Sequence, residues 1–341
     1  MTEGLRDSTA RVALALACTA LGGCSGNAAT SGALAPLGPA AHLLGTRSSV
    51  ASIYVVDRNF GHNDDRVLVF NAGARGNTGP ARQIEGSQTQ LDYAQGIAAD
   101  RQGNTYVSSF ARVTEYAGGA NGNVEPIAEI IGSQTGLDVT GGIALDSSAN
   151  MYVVNNTYVA AAIDVFSAGS NGNVPPARSI TGPDTGLSIP AGVAVDSQGE
   201  TYATNTTYPA SVTVYAANAN GDAKPLATIA GGQTTLNAPT GVAVDPSGKI
   251  YVADYVDKSI LIFASGASGD VEPIASIHGL RTQLTYPVGV SLDGNGYIYV
   301  SNITRPKSVL VFAPSSSGNV SPVRRISGNK TELYDPVALD L

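Results

Sequence analysis

At 341 residues the chain is long enough to form one large domain or two ordinary ones. It has 40 glycines and no tryptophan, and only 13% of its residues are charged. This composition is typical of an all-β protein with many turns, and it excludes a disordered chain. The formal net charge is −8 and no run of lysines and arginines occurs, so the electrostatic footprint of a nucleic-acid-binding protein is missing.

Residues 1–24 have the pattern of a signal peptide. Arg6 and Arg11 precede a stretch of apolar and small residues that is too short to span a bilayer. The stretch ends in Leu21-Gly22-Gly23-Cys24, which resembles a bacterial lipobox. We therefore expect lipidation at Cys24, export, and anchoring in the cell envelope through the lipid alone. Secretion after ordinary cleavage is the alternative.

Residues 25–50 are rich in Gly, Ala, Ser, Thr and Pro and show no periodicity. Such a composition predicts a flexible tether that holds a lipidated domain away from the membrane. Folding of this segment against the following domain is the alternative.

From residue 51 to residue 341 the chain repeats itself at intervals of about 48 residues. The clearest landmark is the pattern Gly-apolar-Ala/Ser-apolar-Asp. Its copies are Gly96–Asp100, Gly142–Asp146, Gly192–Asp196, Gly241–Asp245 and Gly289–Asp293. Each copy predicts a first strand that ends in a turn.

Three further strands follow in each repeat. The second is built around a tyrosine, and the third alternates apolar and variable residues up to a final aromatic, which predicts a half-buried strand. The third strands are Val67–Phe70, Val113–Tyr116, Ile163–Phe166, Val212–Tyr215, Ile260–Phe263 and Val309–Phe312. The fourth follows a proline, as an edge strand tolerates, and ends in Ile-x-Gly.

Four short strands per repeat predict an all-β fold, the β-propeller, with one blade per repeat. The pattern Gly-Ile-Ala-x-Asp, a turn, then Tyr-Val and Asp or Asn resembles the NHL repeat family over residues 51–341. The first repeat lacks its first strand, and Pro336–Asp340 supplies it, with Pro336 at the glycine position. The sequence thus predicts six blades, the first closed by the C-terminal strand.

Antiparallel blades of strands A to D place their loops on two faces. The A–B and C–D turns share one face and are nearly identical from repeat to repeat, which indicates a structural role. The B–C loops and D–A connections share the other face and vary, so we expect any binding site there.

A polar residue begins every B–C loop, and five of the six are Asp or Asn. The six are Asp57, Ser109, Asn155, Asn205, Asp254 and Asn302. An Asx turn at the end of each B strand explains them best. Resemblance to six-bladed lactonases offers an alternative, in which Asp57, Asp254 and Asn302 hold calcium. We predict no metal and no other cofactor.

The same loops carry aromatic residues in five blades, namely Phe60, Phe110, Tyr158, Tyr208 and Tyr255, with Ile303 in the sixth. Clustered at a concave mouth, these rings would bind a sugar or a peptide side chain. Packing of each ring on its own loop is the alternative. We list these five aromatics as the candidate ligand-binding residues.

The usual residues of catalysis are scarce. The three histidines, His42, His62 and His278, fall in unrelated segments, which is unlike the histidine sets of the lyases that resemble this fold. No Ser/His/Asp or Cys/His set can be assembled, so we predict no catalytic residue.

The sequence favours a monomeric binding or scaffold propeller for a glycan, a peptide or a protein. A metal-dependent lactonase-like or lyase-like enzyme is the main alternative. A mainly structural envelope protein is the third hypothesis.

Overall fold

The computed structural model describes residues 52–58, 65–156 and 161–341. In these residues 24 strands form six antiparallel sheets of four strands each. The first strand of every sheet contacts the first strands of the sheets on either side, so the six sheets close into a ring around one axis. The predicted six-bladed all-β propeller is confirmed. The signal peptide, Cys24 and the tether lie outside the described residues.

The blades are numbered in chain order, and their strands are lettered A to D from the axis outwards. The A strands of blades 1 to 6 are β24 Pro336–Asp340, β4 Ala94–Ala99, β8 Val139–Leu145, β12 Pro190–Val195, β16 Pro239–Val244 and β20 Pro287–Leu292. The B strands are β1 Ser52–Asp57, β5 Thr105–Ser109, β9 Met151–Asn156, β13 Thr201–Asn205, β17 Ile250–Asp254 and β21 Ile298–Asn302.

The outer strands are equally regular. The C strands are β2 Arg66–Asn71, β6 Arg112–Tyr116, β10 Ala161–Phe166, β14 Ser211–Tyr215, β18 Ser259–Phe263 and β22 Ser308–Phe312. The D strands are β3 Arg82–Ile84, β7 Ala128–Ile131, β11 Arg178–Thr181, β15 Ala227–Ala230, β19 Ala275–Ile277 and β23 Arg324–Ile326. Four D–A connections contain a 3₁₀ turn, at Pro183–Thr185, Gly232–Thr234, Leu280–Thr282 and Asn329–Thr331.

The C-terminal strand closes blade 1, as predicted, but in a different register. Pro336 pairs with Asp57 in the way that Pro239 pairs with Asp254 in blade 5. Asp340 lies opposite Tyr54, a place that alanine or serine fills in the other blades. Our placement of Pro336 at the repeat's glycine position was therefore wrong by two residues, and Ala338 stands there instead.

The C strands are more deeply buried than their alternating pattern predicted. Those of blades 4, 5 and 6 are buried along their whole length. Successive side chains of a strand point to opposite faces of its sheet, and in a propeller each face packs against a neighbouring blade. In blade 1, Ile53 and Val55 pack with blade 6, and Val67 and Val69 pack with blade 2. The expectation of half-buried strands was wrong for this reason.

The A-strand glycines are required where neighbouring A strands approach the axis. A Cβ on Gly241 would lie 2.5 Å from the carbonyl oxygen of Val288 on the next A strand. Since real side chains cannot come so close to a backbone oxygen, only glycine fits here. The Gly-apolar-Ala-apolar-Asp motif thus records close packing at the axis.

Each C–D segment also lies along the outer edge of the preceding blade. The Gly269 N–H donates to the Thr228 carbonyl (2.7 Å), and the Gly269 carbonyl accepts from Ala230 N–H (3.1 Å). An Asx side chain one residue later accepts an N–H from the D–A connection that leaves the preceding blade's D strand. These six clasps use Asn77, Asn123, Asn173, Asp222, Asp270 and Asn319. They cover the D-strand edges that a propeller would otherwise leave open.

Candidate functional site

The Asp and Asn residues that end the B strands hold the D–A connections in place. Asp254 Oδ2 accepts from Asn237 N–H (2.7 Å), and Asn302 Oδ1 accepts from Thr285 N–H (2.9 Å). Asp57, Asn155 and Asn205 make the same kind of contact in their blades. These five residues have a structural role, as predicted, but the contact that they share reaches back to the connection before the A strand. Asp254 additionally accepts a local N–H, that of Asp257 (3.2 Å).

Asp57 shows how fully these oxygens are used. Its Oδ1 accepts from the N–H groups of Tyr334 (2.7 Å) and Asp335 (2.6 Å), and its Oδ2 lies 3.1 Å from both Nε and Nη2 of Arg66. Burial raises the pKa of Asp57 to about 6, although the charge of Arg66 and the hydrogen bonds oppose the rise. The carboxylate therefore serves the fold of blade 1.

Blade 2 departs from this scheme. Ser109 occupies the Asx position, and its buried Oγ makes no hydrogen bond to the described residues. Asp65, from the B–C loop of blade 1, instead accepts the N–H of Ala94 (2.6 Å) at the start of the blade 2 A strand. The blade 1 loop is thus fixed to blade 2.

The predicted aromatic residues occupy different environments. Phe60 and Tyr158 lie outside the described residues. Tyr208 is 98% exposed at a loop tip, and Phe110 is about half exposed. Tyr255 is partly buried, and its ring centre lies 4.6 Å from that of Tyr286 in blade 6. Of the three described aromatics, Tyr255 is the one in contact with another ring.

Three further tyrosines, which the sequence analysis missed, stand near the ends of the D–A connections. Each has a cation from the preceding blade above its ring. Lys258 Nζ lies 5.0 Å from the ring centre of Tyr286, and Lys307 Nζ lies 4.0 Å from that of Tyr334. The guanidinium carbon of Arg58 lies 5.7 Å from that of Tyr93.

These three pairs occur at three successive blade boundaries, 5/6, 6/1 and 1/2. Together with Tyr255 we call them the cation–aromatic arc. A signal was present in the sequence. A tyrosine stands one or two residues before the A strand, and the B–C loop of the preceding blade contains Lys or Arg. A cation held over a ring face is favourable by about 0.5–2 kcal/mol, so such pairs order both side chains.

Three buried polar side chains form a hydrogen-bonded cluster in the arc between blades 1 and 2. Arg58 donates from Nη1 to Gln95 Oε1 (3.1 Å) and from Nη2 to Asp335 Oδ2 (3.5 Å). Burial raises the pKa of Asp335, while the charges of Arg58 and Lys307 oppose the rise. Burial likewise raises the pKa of Tyr255, and Tyr286 and the carboxylate of Asp335 add to the effect. Blades 5, 6, 1 and 2 therefore interact electrostatically at this site.

Within the described residues, no three His, Cys, Asp or Glu side chains are grouped in a way that would hold a metal ion. The three calcium candidates direct oxygens to backbone N–H groups of their own blades. Over the same part of the chain, no helix has the length and apolar character needed to span a membrane.

Comparison with known proteins agrees with the fold. The model of the NHL repeat matches residues 236–263, and a model described as a beta-propeller repeat matches residues 81–109. The chain is a six-bladed β-propeller, and the NHL match falls within its fifth blade. No curated protein matches the chain by sequence.

Solved structures similar to this propeller include a protein of unknown function from Bacteroides caccae, with 10% identity over 85% of this chain and 98% of that one (TM-score 0.60). The WD40 propeller domain of Doa1 shows 11% identity over 82% and 80% of the two chains (TM-score 0.53). The periplasmic gluconolactonase PpgL of Pseudomonas aeruginosa shows 16% identity over 82% and 84% (TM-score 0.53). At such identities the likeness concerns the fold alone.

Proposed function

We propose that this protein is a binding propeller that takes its ligand on the cation–aromatic arc of the B–C/D–A face. The observation that carries the proposal is the repetition of a tyrosine paired with a cation at three successive blade boundaries. Aromatic rings give a ligand large contact area at little entropic cost, and cations add orientation. Tyr93 and Tyr334 remain 38% and 48% exposed, so part of each side chain can contact a ligand.

The opposite face supports this choice by its uniformity. In blades 2 to 6 the Asp at the end of the A strand accepts N–H groups of its own A–B turn, as Asp245 Oδ1 does from Ser247 (2.8 Å) and Lys249 (3.0 Å). The same contacts recur around Asp100, Asp146, Asp196 and Asp293. Side chains engaged in closing their own turns offer a ligand little. Two further cation–aromatic pairs outside the arc, Arg178 with Tyr152 and Arg324 with Tyr299, have buried tyrosines.

The enzyme alternative has less support. A lactonase-like or lyase-like site would need residues that bind a metal or activate water, and the best candidates were Asp57, Asp254 and Asn302. Their oxygens are engaged by backbone N–H groups. The gluconolactonase activity of the Pseudomonas aeruginosa structure is therefore not carried over to this chain.

The binding proposal is tested with the double variant Tyr255→Ala/Tyr286→Ala. Full-length protein is applied to a panel of immobilised neutral polysaccharides, acidic polysaccharides and peptides, and affinities are measured by biolayer interferometry. We expect the variant to lose at least about tenfold in affinity, since each aromatic contact is worth about 1 kcal/mol or more. Leu226→Ala, at a 61% exposed position on the outer rim, is the control. Equal affinity of double variant and wild type would refute the arc as the site.

We also propose that the protein is exported and anchored in the cell envelope by a lipid on Cys24. The support is the signal-peptide pattern that ends in Leu21-Gly22-Gly23-Cys24. In bacteria fed an alkyne fatty acid, the wild type should incorporate the label and fractionate with membranes, and Cys24→Ala should do neither. Equal labelling of both would count against the anchor.

A further inference from the structure

Charge is unevenly distributed over the B–C/D–A face. In blade 6 the D–A connection (278–286) and the B–C loop (303–307) carry Arg281, Arg305 and Lys307, and no acid. The D–A connections of blades 2 to 4 carry acids and no Lys or Arg, namely Glu85, Asp92, Asp138 and Asp184. The flanking segments 255–258 and 327–335 add two lysines and three acids, so the sector around blade 6 keeps a small net positive charge on a chain of net charge −8. A basic sector on an acidic protein favours an anionic ligand there.

The aromatic rings lie within or beside the same sector. Lys258 and Lys307 stand over Tyr286 and Tyr334, on either side of blade 6. Two equivalent units of one ring and one ammonium group therefore occur at consecutive blade boundaries. A ligand that repeats a flat apolar face and a negative charge would match both units at once.

An acidic peptide matches less well, because its usual way of docking on a β protein is closed here. Extended peptides add a strand to an open sheet edge. Blade 5's outer edge is taken by Gly318, whose N–H donates to Ser276 O (2.6 Å) and whose carbonyl accepts from His278 N–H (3.2 Å). Gly76 covers blade 6 in the same way, with Arg325 and Ser327.

We propose that the arc binds a polyuronate, a polysaccharide in which each sugar ring carries a carboxylate. The sugar's C–H face would lie on the exposed part of Tyr334, which is 48% exposed, and carboxylates would pair with Lys307 and Lys258. The acids of the blade 1 connection already have arginine partners, since Arg58 lies 3.5 Å from Asp335 and Arg66 lies 3.5 Å from Glu332. Lys258 and Lys307 are the basic groups that stand over the tyrosine rings. This inference rests on the proposed binding function and specifies its ligand class.

The test compares polygalacturonate with its fully methyl-esterified form, which keeps the sugar and loses the charge. The wild type should bind polygalacturonate at least about tenfold more tightly, and the difference should shrink between 50 and 500 mM salt. Lys258→Gln and Lys307→Gln should each weaken binding about two- to fivefold. Lys224→Gln is the matched control, since Lys224 is 78% exposed on a C–D segment of blade 4.

The possible outcomes separate the two proposals. If the wild type binds the ester or a neutral glycan as tightly as polygalacturonate, and Tyr255→Ala/Tyr286→Ala loses that binding, the polyuronate proposal is overturned and the arc remains the binding site. Preference for poly-L-glutamate over polygalacturonate would equally overturn it. Polygalacturonate binding that is unaffected by the lysine and tyrosine variants would overturn both proposals. Loss in Lys258→Gln and Lys307→Gln, with Lys224→Gln unchanged, supports the inference.

Discussion

Gly231 shows how the ring depends on single residues. Its φ of +126° lies in the region that side chains disfavour, and a Cβ there would overlap the carboxyl group of Asp270 from the next blade. That carboxyl group accepts the N–H of Gln233 (2.6 Å) and so clasps blade 5 to blade 4. The Ile-x-Gly motif was visible in the sequence, but its cause was not, because Asp270 is distant in the chain.

Gly231→Ala should destabilise the protein by about 2–4 kcal/mol, through backbone strain and displacement of Asp270. The neighbouring Gly232 has open space around its Cβ position and no positive φ, so Gly232→Ala should change the free energy of unfolding by less than about 1 kcal/mol. Urea denaturation of the two variants provides the comparison. Equal effects would show that the clasp contributes nothing.

Asp57 should make the stability depend on pH. Its pKa rises from 3.8 to about 6 on folding, so the native carboxyl group binds a proton more readily than the unfolded one. This stabilises the native state below about pH 4, and the contribution is lost as the pH rises through 6. Asp57→Asn removes the titration, so the wild type should gain up to about 3 kcal/mol relative to the variant between pH 7 and pH 4. A difference that stays constant over this range would contradict the assignment.

At the scale of elements, the D–A connections owe their shape to the B strands. Asp254 accepts the N–H groups of Asn237 and Ala238 and that of Asp257. The sequence indicated the polar residue at each B-strand end. It could not show that the partner lies about 17 residues earlier, since a local turn satisfies the same pattern. Tyr93, Tyr286 and Tyr334 were missed for a related reason, because a tyrosine precedes the A strand in only three of the six D–A connections and so does not stand out as a repeat motif.

Asp254→Ala leaves these N–H groups without their acceptor and should cost about 2–4 kcal/mol, because an unmade buried hydrogen bond is expensive. Asp254→Asn keeps an acceptor oxygen, as Asn302 does in blade 6, and should cost less than half as much. Thermal unfolding followed by circular dichroism measures both. Equal losses would mean that the side chain does not act as an acceptor.

At the scale of the whole molecule, the number of blades followed from the repeat, and the closure followed from the missing first strand. The register of the C-terminal strand could not be predicted in this way. Pro336–Asp340 fits the repeat motif in two ways, and only the pairing with β1 distinguishes them. The division of the face into a basic sector and an acidic one depends on the order of blades around the ring, which requires the closed fold.

Deletion of residues 336–341 should remove the A strand of blade 1 and open the ring. We expect the melting temperature to fall by about 10 °C or more, since the strand joins blade 1 to the inner strands of blades 2 and 6. Deletion of Leu341 alone keeps every pairing of β24 with β1 and is the control. An unchanged midpoint in the longer deletion would disprove the closure.

The central claim, that a ligand binds on the cation–aromatic arc, is tested most directly by hydrogen–deuterium exchange. Full-length protein is compared alone and with saturating polygalacturonate, or with the tightest binder of the panel if another ligand binds more strongly. The claim predicts slower exchange in residues 255–258, 278–286, 303–307 and 327–335. Protection confined to the A–B turns and C–D segments, such as residues 245–249 and 264–274, would contradict it.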